Sequence, residues 1–299
     1  MQQNSSSNLN EKSGFERLHS ASLNDKQFEK LSLFIHEECG IKIPPTKKTM
    51  LEVRLRKRLR TLGIPNFDEY VKFLFSDSGM NDEIVHMIDV VTTNKTDFFR
   101  EPKQFPFLTD YALPEIIKAY KVGNGRKLKV WSAGCSTGEE PYTLAIVLNE
   151  FAENTETRNF DYSILATDIS TEVLNKAAMA IYDMERVEPI PFELKKKYLL
   201  RSKDPQKKVV RIVPELRKKV EFARVNFMDY NLGLKEKVDV IFCRNVIIYF
   251  DKETQERIIR KLTDNLNSGG YLFLGHSETL FSMSLPLTQL APSIYKKTL

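Results

Sequence analysis

Residues able to do chemistry gather in a few short runs of this chain. The first, K-L-K-V-W-S-A-G-C-S-T-G-E-E-P-Y-T over 127–143, sets Gly134, Gly138, Glu139 and Glu140 between an alternating, partly apolar run and a helix-like one. That reads as a strand, a tight turn and a helix start, where backbone free of bulky side chains lets a nucleotide-like ligand approach closely. The spacing G-C-S-T-G fits the dinucleotide fingerprint poorly, and a phosphate cradle places backbone N–H groups and often a Lys at the helix start. Two carboxylates there repel a pyrophosphate and suit a cationic or hydroxyl-rich ligand, of which S-adenosylmethionine is one. An acidic first turn that merely complements the helix dipole explains the turn alone equally well.

Three more runs carry polar groups at what the pattern predicts are strand ends. Asp168 in A-T-D-I-S stands where an acid accepts both ribose hydroxyls of an adenosine ligand, although farther from Gly134 than the ~20 residues of the dinucleotide pattern. Capping the following helix is its other natural use. Asn226 in R-V-N-F and Asn245 in C-R-N-V-I-I-Y-F-D can hydrogen-bond ligand amides, adenine edges or carboxylates, or simply form turns, and Arg244 and Tyr249 share the latter run. A different chemistry is offered by the predicted helix T-K-K-T-M-L-E-V-R-L-R-K-R-L-R-T-L-G. Leu51, Leu55, Leu59 and Leu62 make its apolar stripe, while Arg54, Arg56, Lys57, Arg58 and Arg60 crowd the remainder. So many like charges repel one another, which favours an anionic partner, whether RNA, a membrane surface or an acidic protein, over a merely solvated face. No aromatics are interleaved for base stacking, which leaves an acidic protein open as that partner.

The elements that must position these groups follow from periodicity. From residue 128 onward strands and helices alternate, the mark of an α/β domain with a mainly parallel sheet. Strands are predicted at 128–133, 162–167, 220–225, 238–243 and 271–275, helices at 141–153, 170–180 and 252–266, and a closing hairpin at 284–297. The stretch between 180 and 220 is too long for an ordinary connection, and its V-V-R-I-V run suggests a small antiparallel β insert, about 190–219, whose edge could pair a partner's strand. Ahead of the sheet lie amphipathic helices. We therefore expect a tail over 1–22, a helical N-terminal domain over 23–100, a linker and helix over 101–127, and a Rossmann-like domain over 128–299. The polar start M-Q-Q-N-S-S-S-N reads as a disordered tail. With 41% hydrophobic and 28% charged residues the composition is that of a soluble globular protein, and a net charge of +5 over 299 residues does not by itself imply nucleic acid. The three cysteines are far apart, so a reducing cytoplasm is the simplest compartment. The four histidines form no ligand set, which argues against a metal, and no apolar run approaches a membrane span.

Taken together, W-S-A-G-C-S-T-G-E-E-P-Y-T, T-T-N-K-T-D-F-F-R-E, A-T-D-I-S-T-E-V-L, I-F-C-R-N-V-I-I-Y-F-D and L-G-H-S-E resemble the bacterial chemotaxis receptor methyltransferases, the CheR family, over roughly residues 23 to 297. The resemblance implies an all-helical N-terminal domain, a Rossmann-like S-adenosylmethionine-dependent methyltransferase domain and a small β insert. It implies methyl transfer to glutamate side chains on the cytoplasmic helical bundle of chemoreceptors, with S-adenosylhomocysteine as product. Carried over motif by motif, Asn94, Thr96 and Arg100 close over the cofactor, Gly134, Glu140 and Asp168 hold it, and Asn226, Phe227, Asn245 and Val246 line its adenosine side. Arg100 and Tyr249 face the reacting carboxylate. Arg54, Arg56, Lys57, Arg58 and Arg60 meet the acidic receptor. The expected chain is a monomer without nucleic acid, metal or membrane insertion. Some members of the family carry a glycine-rich turn in the insert and bind a tethering pentapeptide at receptor C-termini. Here the turn reads S-K-D-P-Q-K-K, with no glycine. Two rivals remain: an RNA or small-molecule methyltransferase, and a non-catalytic cofactor-binding adaptor.

Overall fold

The structure, a computed structural model, describes residues 22–281 and 283–298. The tail expected at 1–22 lies, save for its last residue, outside them. The chain divides into two units between Thr93 and Asn94, so the N-K-T-D-F-F-R segment expected to end the helical part belongs to the second unit.

The first unit is helical because each amphipathic run is punctuated at both ends. Asn24 and Gln27 exchange hydrogen bonds of 2.9 Å, a reciprocal box that opens α1 (Asp25–Cys39). A left-handed Gly40 closes it. Helices α2 (Lys48–Leu62), α3 (Phe67–Leu74) and α4 (Ile84–Val91) come next. Leu51, Leu55 and Leu59 are buried as their spacing predicts, whereas Leu62, at the last turn of α2 before Gly63, is exposed.

The basic side of α2 is not one solvated face. Arg54 turns toward the end of α4, donating to the carbonyls of Val91 and Thr92 and to Thr93 Oγ1. Cations are favoured at such helix C-termini. Arg58 grips Glu83 through Nε at 2.9 Å and Nη2 at 2.6 Å, and the Tyr70 hydroxyl donates to the same carboxylate at 3.0 Å. Glu83 is 2% exposed. Arg56 pairs with Glu52 one turn away. Of the five basic residues expected to form a contact surface, then, Arg54 and Arg58 hold their own unit together, and Lys57 and Arg60 are exposed. A helical wheel could not separate them, because it does not know where Glu83 and the end of α4 lie. Removing one partner of a buried ion pair costs about 3–5 kcal/mol. Arg58→Ala should therefore lower the unfolding midpoint clearly, and Lys57→Ala should leave it nearly unchanged, as read by thermal melts followed by circular dichroism.

The second unit begins with a helical run, α5 (Gln104–Phe107) and α6 (Leu113–Tyr120), joined through a wider turn at 108–112. Among the described residues it then holds β1 (Leu128–Ala133), α7 (Glu139–Asn154), β2 (Tyr162–Asp168) and α8 (Thr171–Met179). Next come β3 (Ile181–Asp183), α9 (Phe192–Tyr198), β4 (Leu199–Arg201), β5 (Val209–Ile212) and α10 (Pro214–Arg217). The remainder is β6 (Val220–Arg224), β7 (Val238–Cys243), α11 (Lys252–Asp264), β8 (Leu266–Leu274), β9 (Leu287–Ala291) and β10 (Ile294–Lys297). Seven strands form one sheet in the order β6-β2-β1-β7-β8-β10-β9, parallel through β8 and closed by an antiparallel hairpin. Strand β8 starts five residues earlier than predicted, since N-S-G-G joins it through a register shift opposite Val238 and Val240. A second sheet, β3-β5-β4, is the predicted insert, and its first strand starts at Ile181, ahead of the expected 190.

Alternation along the parallel strands gives the sheet two buried faces. Val130, Ile164, Val240, Phe242 and Phe273 point into one core with α6, α7 and the insert; Trp131, Ile241, Cys243, Leu272 and Leu274 point into the other with Ile258, Ile259 and Leu262 of α11. From β1 the chain winds outward through β2 to β6, then returns to β7 on β1's other side. In open α/β sheets, ligands bind beyond the carboxyl ends of strands at such a reversal. Here it falls between β1 and β7.

Candidate active site

The turn after β1 is shaped by close approach. Gly134 has φ 86°, and a Cβ on it would lie 2.4 Å from Val246 Cγ2. Only glycine lets the β1 and β7 loops come together there. The N–H groups of Gly134 and Cys135 both reach the Thr167 carbonyl at 2.8 Å, tying the turn to β2 as well.

Both acids at the start of α7 are buried, and each is already engaged. Glu140 accepts from Ser132 Oγ and from Arg244 Nε, both at 2.7 Å. Arg244, lying near the rings of Phe105 and Phe242, also donates to the Arg100 carbonyl at 2.7 Å and to Gln104 Oε1 at 3.3 Å. Gln104 passes the network on to the Leu274 carbonyl at 2.7 Å. The family resemblance gives Glu140 to the cofactor's polar groups; in the structure its oxygens serve a buried network joining β1, α7, α5 and the ends of β7 and β8. Glu139 accepts from Thr137 Oγ1 at 2.6 Å and from Arg186, which in turn donates to the Thr96 carbonyl at 2.8 Å.

Those contacts fasten the segment Asn94–Arg100 over the turn. Ser136 Oγ donates to the Asn94 carbonyl at 2.9 Å, the Phe99 N–H donates to Thr143 Oγ1 at 3.1 Å, and Arg100 Nη1 reaches the Lys95 carbonyl at 3.2 Å. Phe99 and Glu101, on either side of Arg100, are left-handed, as are Ser136 and Asn245. Such conformations are costly for residues with side chains and gather at functional sites.

The remaining predicted residues also stand at strand ends. Asp168 accepts from the N–H groups of Ser136 at 2.8 Å and Ser170 at 3.0 Å, while Ser170, not Asp168, caps α8 through its side chain. Asn226 forms a turn by accepting from the Met228 N–H at 3.0 Å, and the Phe227 ring lies 6.4 Å from that of Trp131. Tyr249 closes the short 3-10 turn Ile247–Tyr249 and is half-buried. Asn245 and Val246 precede that turn, and their N–H groups both donate to Glu278. Sequence reasoning missed Gln104, Arg186 and Glu278. Only Glu278 left a trace, as the acid of L-G-H-S-E directly after a predicted strand.

Cysteine chemistry has no place here. Burial, and next the charge of Asp168, pushes the Cys135 thiol well above its ordinary range, and burial with the charge of Glu278 does the same to Cys243. Neither thiol is a ready nucleophile. Among the described residues no cluster suits a metal ion, and no helix is long and apolar enough to cross a membrane.

What the crevice fits is a cation bearing hydrogen-bonding groups. Two guanidiniums, of Arg186 and Arg244, pair with Glu139 and Glu140, Glu101 lies 3.8 Å from Arg244, and the carboxylates of Asp168 and Glu278 accept from backbone N–H groups, so acids outnumber bases here. Asn245 Oδ1 is buried without a protein donor. Fold and site together define an S-adenosylmethionine-dependent methyltransferase. Residues 94–294 match the description CheR methyltransferase, SAM binding domain, and residues 26–92 match CheR methyltransferase, all-alpha domain. The chemotaxis protein methyltransferase of Borreliella burgdorferi is 40% identical over 271 residues, covering 91% of this chain and 94% of that one. That of Escherichia coli K12 is 36% identical over 273 residues, covering 91% of each. This chain belongs to the CheR methyltransferase family.

Gly134→Ala should push the β1 and β7 loops apart, with a left-handed backbone adding strain. The expected result is a lower melting temperature and at least tenfold weaker S-adenosylhomocysteine binding by calorimetry, whereas Gly63→Ala, also left-handed but open around its Cβ, should affect stability alone.

Proposed function

We propose that in this protein-glutamate O-methyltransferase the second unit holds S-adenosylmethionine at the β1–β7 reversal and presents Arg100 and Tyr249 to a chemoreceptor glutamate. Bound cofactor supplies an electrophilic methyl group on a sulfonium. The protein's task is then mostly placement, because a glutamate with a pKa of about 4.3 is already ionised at neutral pH and needs no general base. Arg100 pairs with the carboxylate and the Tyr249 hydroxyl fixes its angle, so the acceleration is chiefly proximity and orientation. The observation that carries this assignment is the setting of Arg100. Left-handed residues flank it and Arg244 holds its carbonyl, so its backbone is fixed beside the buried Arg244–Glu140 pair.

Asn94, Thr96, Gly134, Asp168, Asn226, Phe227, Asn245 and Val246 border the cofactor in this proposal. Glu140 acts on it chiefly through charge, since Ser132 and Arg244 occupy its oxygens. Receptor choice falls to the first unit, through Lys57 and Arg60, with Arg56 beside them. The partner is the receptor's acidic cytoplasmic bundle, which places the enzyme, as a monomer, in the cytoplasm.

Arg100→Ala tests the catalytic assignment. Turnover on a receptor cytoplasmic fragment should fall about 100-fold, the scale of a misplaced reactant, with cofactor still bound. Wild-type turnover with cofactor bound would remove Arg100 from that role. For receptor choice, two rim contacts of roughly 0.5 kcal/mol each predict that Lys57→Ala with Arg60→Ala raises the receptor KM about fivefold. That effect should shrink with added salt, and S-adenosylhomocysteine affinity should be unchanged.

A further inference from the structure

Glu278 is 3% exposed, and its carboxylate is surrounded by main chain. Oε1 accepts from the N–H groups of Val246 and Ile247, both at 2.9 Å; Oε2 accepts from Asn245 at 2.8 Å and Gly275 at 2.7 Å. Three of those donors belong to one loop, after β7, and the fourth to the loop after β8. Three consecutive N–H groups converge on a single point only if the loop turns sharply, and it does so with Asn245 at φ 58°. An αL residue of this kind persists where its surroundings over-determine it. A carboxylate accepting from amide N–H groups makes charge-assisted bonds, about twice as strong as neutral ones. The same loop presents Asn245 Oδ1, the Val246 side chain that packs on Gly134, and Tyr249.

We propose that Glu278 is a positioning residue of the cofactor site: its buried carboxylate sets the loop that carries Asn245, Val246 and Tyr249, and without that charge the loop no longer meets the ligand. Glu278 itself touches only backbone. Burial raises its pKa against the pull of the N–H donors, so the charge is held at a desolvation cost that a residue needed for packing alone would not require. The inference rests on the reading that Asn245 and Val246 border the cofactor.

Asp239 provides the control, a 0% exposed carboxylate at the amino end of β7 that bonds Arg126, Asn267 and the Lys129 N–H, far along the strand from the crevice. Calorimetric titration with S-adenosylhomocysteine and thermal melts should be run on the full chain and on Glu278→Gln, Asp239→Asn and Asn245→Ala. We expect Glu278→Gln to weaken binding at least tenfold while Asp239→Asn, with a similar loss of melting temperature, stays within twofold of wild type. Wild-type affinity in Glu278→Gln, or an equal loss in Asp239→Asn, would overturn the proposal. Should Glu278→Gln not fold, Glu278→Asp decides instead. Gly275 leaves no room for a side chain beside Asn245 and Glu278, so the back-up is this shorter acid, which draws the carboxylate away from its four N–H donors; tenfold weaker binding supports the proposal and unchanged binding ends it. Wild-type affinity in Asn245→Ala would instead show that the loop does not border the cofactor, a failure of the underlying reading rather than of the role of Glu278.

Discussion

The pairing of Arg244 with Glu140 is the interaction on which the second unit's site depends. Two charges taken out of water are expensive unless geometry and further hydrogen bonds compensate. Here they do: Ser132 donates to the carboxylate, and the guanidinium reaches the Arg100 carbonyl and Gln104. The pair draws together the ends of the two strands between which the chain reverses. It also fixes the backbone at Arg100, the residue that faces substrate in our account. An apolar pair of equal volume could hold the strands, but it could not grip a carbonyl.

Around this pair the charges are arranged by need. A methyl donor carrying a sulfonium gains from an anionic crevice, and the carboxylates of Glu139, Glu140, Asp168 and Glu278 are each held by protein donors rather than left to repel one another. The insert reaches into the same arrangement. Tyr182 of β3 donates to the Thr137 carbonyl at 2.8 Å, and Arg186 just beyond it ties Glu139 to the Asn94–Arg100 segment. The small sheet is therefore built into the site's wall, whatever its outer edge meets.

Much of this was legible in the sequence because it is local. Strand–turn–helix at Gly134, acid at the end of β2, asparagines at the ends of β6 and β7, and an insert in the long connection all come from period and punctuation. What was not legible is what lies far apart in sequence. Glu140 and Arg244 are 104 residues apart, so neither run announces that the two pair. Likewise Arg58 looked like part of a basic surface until Glu83, 25 residues away, was seen to hold it. Glu278 was missed because its partners are backbone N–H groups, which no residue type announces.

Central to this picture is an anionic site at the strand reversal that transfers methyl groups to ionised receptor glutamates. Incubation of the chain with methyl-labelled S-adenosylmethionine and a chemoreceptor cytoplasmic fragment tests it most directly. The expected result is label released as methanol by mild base, and none when the fragment's glutamates are replaced by glutamine. Label that resists base, or that enters RNA in place of the fragment, would contradict it.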